Sequence, residues 1–173
     1  MEFTPLTDPA DGRLPEALAL YAQSFPLHEQ RQAQSQRDIL AHPDYRFDLL
    51  YDDGSFVGLL LYWETADFAY VEHFCTLPAL RGRGLGAQAL EQLARRGKTV
   101  VLEIDPPVDA LSLRRRGFYL RAGFCENAFA HVHPPYREEF SGHELVVLSR
   151  PRPLTETEYR RFAAYLQSTV MGL

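Results

Sequence analysis

The segment with the most chemical content is Arg81-Gly82-Arg83-Gly84-Leu85-Gly86-Ala87, set between an apolar strand-like run and a helical one. Glycines there permit tight turns and close approach of a ligand to the backbone. The unpaired N–H groups opening the following helix form an anion site. The two arginines add charge and a planar fork matched to phosphate. Together these features suit a pyrophosphate. Three phosphate loops compete for the pattern. A P-loop needs Gly-Lys-Ser/Thr where this chain has Leu85-Gly86-Ala87. A dinucleotide fingerprint fits Gly82, Gly84 and Ala87, with Glu103 near its acidic position. Its glycines, however, follow a proline-containing loop and not a strand, and too little chain remains for a second nucleotide-binding half. The third form is arginine-led, Arg-x-x-Gly-x-Gly, carried by Arg81, Gly84 and Gly86.

Other residues carry weaker signals. Glu103 interrupts the apolar run Val100-Val101-Leu102-Glu103-Ile104, and a carboxylate in such surroundings needs a reason. Burial there raises its pKa toward the working range of a base. His73 is a third candidate for a base after Glu72 and Glu103, although strict strand alternation puts it on the face opposite Glu72. His131, His133 and His143 with Glu138 and Glu139 look metal-like, but the stretch carries Pro134-Pro135 and no cysteine, so it reads as a substrate-facing loop with no metal expected. Cys75 has no evident base partner and reads as a strand packing residue.

The elements that must position these groups alternate in type. Leu14–Ser24 and Gln30–Ala41 are expected helices, the second stopped by Pro43. Tyr45–Tyr51 and Ser55–Trp63 are strands joined at Asp52-Asp53-Gly54, and Phe68–Thr76 is a third strand. A helix follows over Leu85–Arg96 with Gly97 as its stop, then the buried-type strand Thr99–Ile104 and a helix over Ala110–Ala122. Phe129–His133 and Glu144–Ser149 are strands, and Thr155-x-x-Glu158 is a capping box opening a last helix. The order is α/β (α+β), with antiparallel strands first and a βαβ unit later. A mixed sheet of about six to seven strands flanked by helices is expected, with residues 1–150 as one domain and 151–173 as a linker and helix packed on it or at a dimer contact.

Composition bounds the rest. The 173 residues are 46% hydrophobic and 24% charged, enough for one domain with a real core. No apolar run approaches a membrane span, and no signal peptide is readable at the start. Two cysteines without a CxxC partner fit a cytoplasmic, reducing setting. The net charge of −5 divides unevenly: residues 81–121 hold nine basic and four acidic side chains, leaving the remainder strongly acidic. That asymmetry argues against tracking a nucleic-acid backbone and fits gripping one small polyanion.

The chain resembles the GNAT superfamily of acyl-CoA-dependent N-acyltransferases. The run from Tyr70–Thr76 through Arg81-Gly82-Arg83-Gly84-Leu85-Gly86 looks like that family's central strand and motif A, and Phe118-Tyr119-Leu120-Arg121-Ala122-Gly123-Phe124 looks like its FYxxxGF signature. The resemblance implies acetyl-CoA as co-substrate, an amine acceptor, and direct attack of that amine on the thioester. It implies anchoring of the pyrophosphate by the amides of Arg81, Gly82, Arg83, Gly84, Leu85, Gly86 and Ala87. Backbone groups of Phe74, Cys75 and Thr76 would meet the pantetheine arm and the thioester oxygen. Tyr119 would be the general acid, with Glu72 or Glu103 the water-mediated general base. The acceptor pocket would be built from Gln30–Ala41 and the 131–143 connection. Ser112 departs from the asparagine that many members carry at this position, which puts a side-chain contact to CoA from there in question. Monomer and homodimer are both compatible, and a non-catalytic acyl-CoA-binding or sensing module on the same fold is the alternative.

Overall fold

A computed structural model describes residues 1–172. Its centre is a seven-stranded mixed sheet in the order β1-β2-β3-β4-β5-β9-β6. The strands are β1 (Glu2–Pro5), β2 (Tyr45–Asp52), β3 (Ser55–Glu64), β4 (Phe68–Thr76), β5 (Thr99–Ile104), β6 (Cys125–Glu126) and β9 (Val146–Arg150). A separate ribbon pairs β7 (Val132–His133) with β8 (His143–Glu144). The helices are α1 (Leu14–Ser24), α2 (Ala33–Asp38), α3 (Leu85–Ala94), α4 (Ala110–Arg121) and α5 (Glu156–Tyr165), the last running into a π-helical segment at Leu166–Val170. Among the described residues no helix is long and apolar enough to cross a membrane.

β3 explains why the sheet holds two cores. Residues 57–63 are all buried, and alternate side chains serve opposite faces except at Val57, which an irregularity in the β2–β3 register places with Leu60 and Tyr62. Leu59, Leu61 and Trp63 pack with α1 and α5 through Leu14, Ala17, Phe162 and Leu166. Val57, Leu60 and Tyr62 pack on the other side with Leu85, Ala89 and Leu90 of α3 and Tyr119 of α4. Asp53 and Gly54 both take positive φ (46° and 72°), as the tight β2–β3 hairpin requires.

The sequence expectation for the C-terminal helix left open whether it packs on the domain or elsewhere. Here α5 is folded into the first core: Phe162 is 1% exposed and meets the rings of Phe68 and Tyr70. The capping box is formed, with the Thr155 hydroxyl accepting from the Glu158 N–H.

Several expectations need correction. β1 was not foreseen; it is a four-residue edge strand ending at Pro5, too short for a periodic signal. The helix expected at Gln30–Ala41 is only six residues of α-helix flanked by 3₁₀ turns at Leu27–Glu29 and Ile39–Ala41. The strand expected at Phe129–His133 shrinks to β7 and joins the small ribbon, while β6 takes the sheet edge beside β9.

Candidate active site

Two features of β4 create the site. The first is where its partner leaves it. β4 and β5 run parallel and are paired from Phe68↔Thr99 to Val71↔Leu102, and there the pairing ends. From Glu72 to Thr76 the β5-facing edge of β4 has no ladder partner, although the β3 side stays paired through Gly58↔Thr76. Phe74, Cys75 and Thr76 therefore present main-chain groups to an opening between parted strands. The second feature is a bulge. Leu61 pairs with His73 and Tyr62 with Val71, so Glu72 is the extra residue. The bulge overturns the alternation argument: Tyr70, Glu72 and His73 all line the same cleft.

That cleft, enclosing about 430 Å³, lies at the mouth of the strand opening. Glu103 and Asp105 reach it from β5 and its following loop, Arg115 from α4, Glu29 from the loop after α1, and His133, Tyr136 and His143 from the 131–145 segment. The expected contribution of the 131–143 connection is thus present, whereas α2 lines no part of this cleft.

Beyond the end of β4, Gly82 and Gly84 both have positive φ (79° and 81°), and Gly84 is the left-handed N-cap of α3 with no side-chain cap. The first bond past this cap runs from the Gln88 N–H to the Gly84 carbonyl at 3.1 Å. The amides of Leu85, Gly86 and Ala87 therefore lie outside the helical ladder. Gly86 is there for closeness: a Cβ would come within 3.2 Å of Phe118 and 3.4 Å of Phe74. Of the nine basic side chains between 81 and 121, Arg81, Arg83, Arg114 and Arg121 have no carboxylate partner among the described residues. The positive segment is therefore not neutralised where the loop lies. Ser112 is occupied otherwise, exchanging capping hydrogen bonds with Asp109 at the start of α4.

The expected carboxylates behave differently from a general base. The Glu72 side chain is fully buried, accepts from Arg31 Nε (2.9 Å) and Trp63 Nε1 (2.8 Å), and is ion-paired with Arg31, whose Nη2 lies 2.8 Å from Oε1. Burial opposes its charge, but the Arg31 guanidinium and these hydrogen bonds outweigh that and hold its pKa below the usual range. A low-pKa carboxylate with both oxygens engaged is a poor proton acceptor, so the geometry argues for Glu72 as a structural anion shaping the bulge. Glu103 accepts the Tyr70 hydroxyl (2.5 Å) and the His131 Nε2–H, and its Oε2 lies 3.8 Å from His133 Nε2. Burial again opposes the charge, and the His131 hydrogen bond, the neighbouring His133 and the Tyr70 bond together hold Glu103 below its ordinary pKa. Glu29 goes the other way, raised by burial and by nearby Asp105.

Tyr119 is buried against Phe118 and Phe124, and its hydroxyl has no protein hydrogen-bond partner among the described residues. Burial pushes its pKa up to about 12. Cys75 is buried, free and raised by burial, consistent with packing. No group of three or more potential metal ligands converges among the described residues.

Two groups were undervalued by sequence reading. His133 donates Nδ1–H to the Pro134 carbonyl (2.6 Å) and its Nε2 is buried without a hydrogen-bond partner. His73 donates Nε2–H to the Glu29 carbonyl (2.7 Å) and its Nδ1 is likewise unpartnered. The available signal was the i, i+2 spacing of His131 and His133, which aims both at one face of a strand.

Comparison with known proteins agrees with this geometry. The family model described as "Acetyltransferase (GNAT) family" matches residues 14–124. A solved GNAT-family protein from Bacteroides thetaiotaomicron, assigned as an acetyltransferase, is 30% identical with a TM-score of 0.92, covering 100% of this chain and 99% of that one. A Bacillus subtilis acetyltransferase solved in complex with CoA shares the fold at 13% identity and a TM-score of 0.57, over 86% of this chain and 95% of its own. The curated Bacillus subtilis protein YjbC, assigned as an acetyltransferase, is 26% identical over 105 residues, 60% of this chain and 53% of that one. The chain spans about half the length of that curated relative. The fold class expected from sequence is the one observed, and this chain belongs to the GNAT family of acetyltransferases.

Proposed function

We propose that this protein transfers the acetyl group of acetyl-CoA to a primary amine by direct attack of the amine on the thioester. The observation that carries the reading is the parting of β4 from β5 beside an uncapped helix start flanked by unpaired arginines. A pyrophosphate fits the amides of Leu85, Gly86 and Ala87 with Arg81 and Arg83 as counter-charges. From there the pantetheine arm follows the unpaired edge of Phe74, Cys75 and Thr76 into the cleft. Main-chain donors on that edge would stabilise the tetrahedral oxyanion, an effect typically worth roughly 3–4 kcal/mol per donor. Free Cys75 and Cys125 support a reducing compartment.

Asp105 pairs with Arg115 (2.8 Å), and Glu29 and Glu103 of the lining favour a cationic acceptor. Tyr119 meets the departing thiolate. Burial holds the Tyr119 pKa up at about 12, above the ordinary thiol range, so Tyr119 acts mainly as a hydrogen-bond donor to sulfur. Tyr119→Phe is therefore expected to lower kcat about tenfold, below the 10²–10⁴ of an efficient general acid. Stopped-flow thiol release checks it, and an unchanged kcat would sink the assignment.

The reading itself is tested by thermal shift and a primary-amine turnover panel. Acetyl-CoA at 100 times its Kd should stabilise the fold by about 2.7 kcal/mol, whereas NAD should not. Stabilisation by NAD alone would point back to the dinucleotide fingerprint. Stabilisation by acetyl-CoA without turnover of any amine would favour the non-catalytic module.

A further inference from the structure

We infer that His133 takes the proton from the incoming ammonium group, with Glu103 as its counter-charge; this rests on the acetyl-transfer reading above. An amine arrives protonated near neutral pH and must lose a proton before its lone pair can attack. Two residues lining the cleft carry a buried ring nitrogen without a hydrogen-bond partner among the described residues, His133 Nε2 and His73 Nδ1. In each, the opposite nitrogen donates to a backbone carbonyl, which fixes the neutral tautomer with its lone pair on the unpartnered atom.

Their surroundings differ in the charged state. A proton on His133 Nε2 lies 3.8 Å from a Glu103 oxygen, while Tyr70 and His131 hold that carboxylate ionised and in place. His73 is completely buried, and burial together with the Arg31 charge disfavours its protonated form despite Glu72 nearby. His133 is thus the acceptor. The groups facing His133 are Glu103 from β5, His73 from β4, Tyr136 from its own segment and His143 from β8. Glu103 is the only carboxylate among them.

The step balances as follows. R–NH3⁺ gives one proton to His133 Nε2 and becomes R–NH2. The nitrogen lone pair forms the C–N bond as the carbonyl π pair moves to oxygen. Collapse breaks the C–S bond, sulfur leaves with the electron pair, and the second nitrogen proton ends on sulfur. The His133 proton then passes to water. The sum is an amide, a thiol and one released proton.

His133→Asn tests this, because it keeps an N–H for the Pro134 carbonyl and removes the basic nitrogen. At pH 7, kcat/KM for a primary amine should fall about 100-fold, with the acetyl-CoA thermal shift unchanged. As pH approaches about 10, where an alkylamine sheds its own proton, the deficit should close to within a few-fold. A deficit independent of pH, or no deficit, overturns the assignment. If the variant does not fold, histidine ¹⁵N shifts of the wild-type protein decide: near pH 8 His133 should carry its proton on Nδ1 and leave Nε2 bare, and the opposite tautomer overturns the assignment. Lack of an acetyl-CoA thermal shift in the wild type would overturn the proposed function separately, leaving the ring ¹⁵N shifts to judge His133.

Discussion

Replacing Arg31 with alanine is expected to cost about 3–5 kcal/mol of folding stability. The Arg31 side chain is 3% exposed and sits at a junction: it pairs with Glu72, donates 2.6 Å to the Val170 carbonyl, and stacks toward Trp63 and Tyr136. Removing it strands the Glu72 carboxylate in the interior with only Trp63 Nε1 as donor. The pH dependence has a definite sign. In the wild type Glu72 is held below its ordinary 4.5, so its contribution is present above that pH and lost as pH falls through the lower folded value. In the variant, burial without the guanidinium pushes Glu72 above its unfolded value. The penalty is then greatest at high pH and narrows as falling pH lets Glu72 protonate. Urea unfolding at pH 8 and pH 5 measures both, and equal losses at the two pH values would contradict the stranded-charge account. Arg31→Met combined with Glu72→Leu should recover most of the loss, because no charge is then left unpaired.

Gly58→Ala is expected to cost about 3 kcal/mol or more, at or beyond the upper end of ordinary overpacking. A Cβ at this position would lie 2.2 Å from the Cys75 carbonyl oxygen and 2.9 Å from the Thr76 Cα. Both are backbone atoms, so β3 and β4 must separate for the methyl to fit. The strain falls at the end of β4 assigned here to the pantetheine arm, so the variant should also lose most of its acetyl-CoA thermal shift. Gly12 is the control: nothing lies within 4 Å of its ideal Cβ, and Gly12→Ala should be near neutral. Chemical denaturation with calorimetric titration of acetyl-CoA reads both effects. A Gly58→Ala protein as stable as the Gly12 variant would refute the steric argument.

How far the sequence led can be judged at β4. Its extent, Phe68–Thr76, was legible from aromatic and β-branched content, and the observed strand has the same bounds. Its bulge was not, because a bulge is a property of two strands in register and leaves no mark in the alternation of one. That single displaced residue moved Glu72 from the assumed base position into an ion pair and brought His73 to the cleft. The glycine loop was legible because Gly82 and Gly84 take backbone conformations that few other residues tolerate. Arg31 gave no signal at all. Nothing near it in sequence foretells a partner 41 residues away on β4 and another at Val170. Likewise, Glu103 was singled out for lying in an apolar strand, but its partners Tyr70 and His131 come from elements on either side of it in the chain.

The packing of α5 has a consequence for the timing of synthesis. The cleft's walls depend on contacts that arrive last: Tyr159 faces His131 Nδ1 at 3.0 Å, Phe162 packs on the Tyr70 ring, and the Val170 carbonyl receives Arg31. A nascent chain that has emerged through β9 already owns every strand of the sheet, the glycine loop and the Phe118–Phe124 segment. It still lacks the pieces that fix Glu103 through His131 and Glu72 through Arg31. Donor binding and proton handling would then mature at different moments of translation, with the chemistry of transfer withheld until the segment up to residue 170 has left the ribosome.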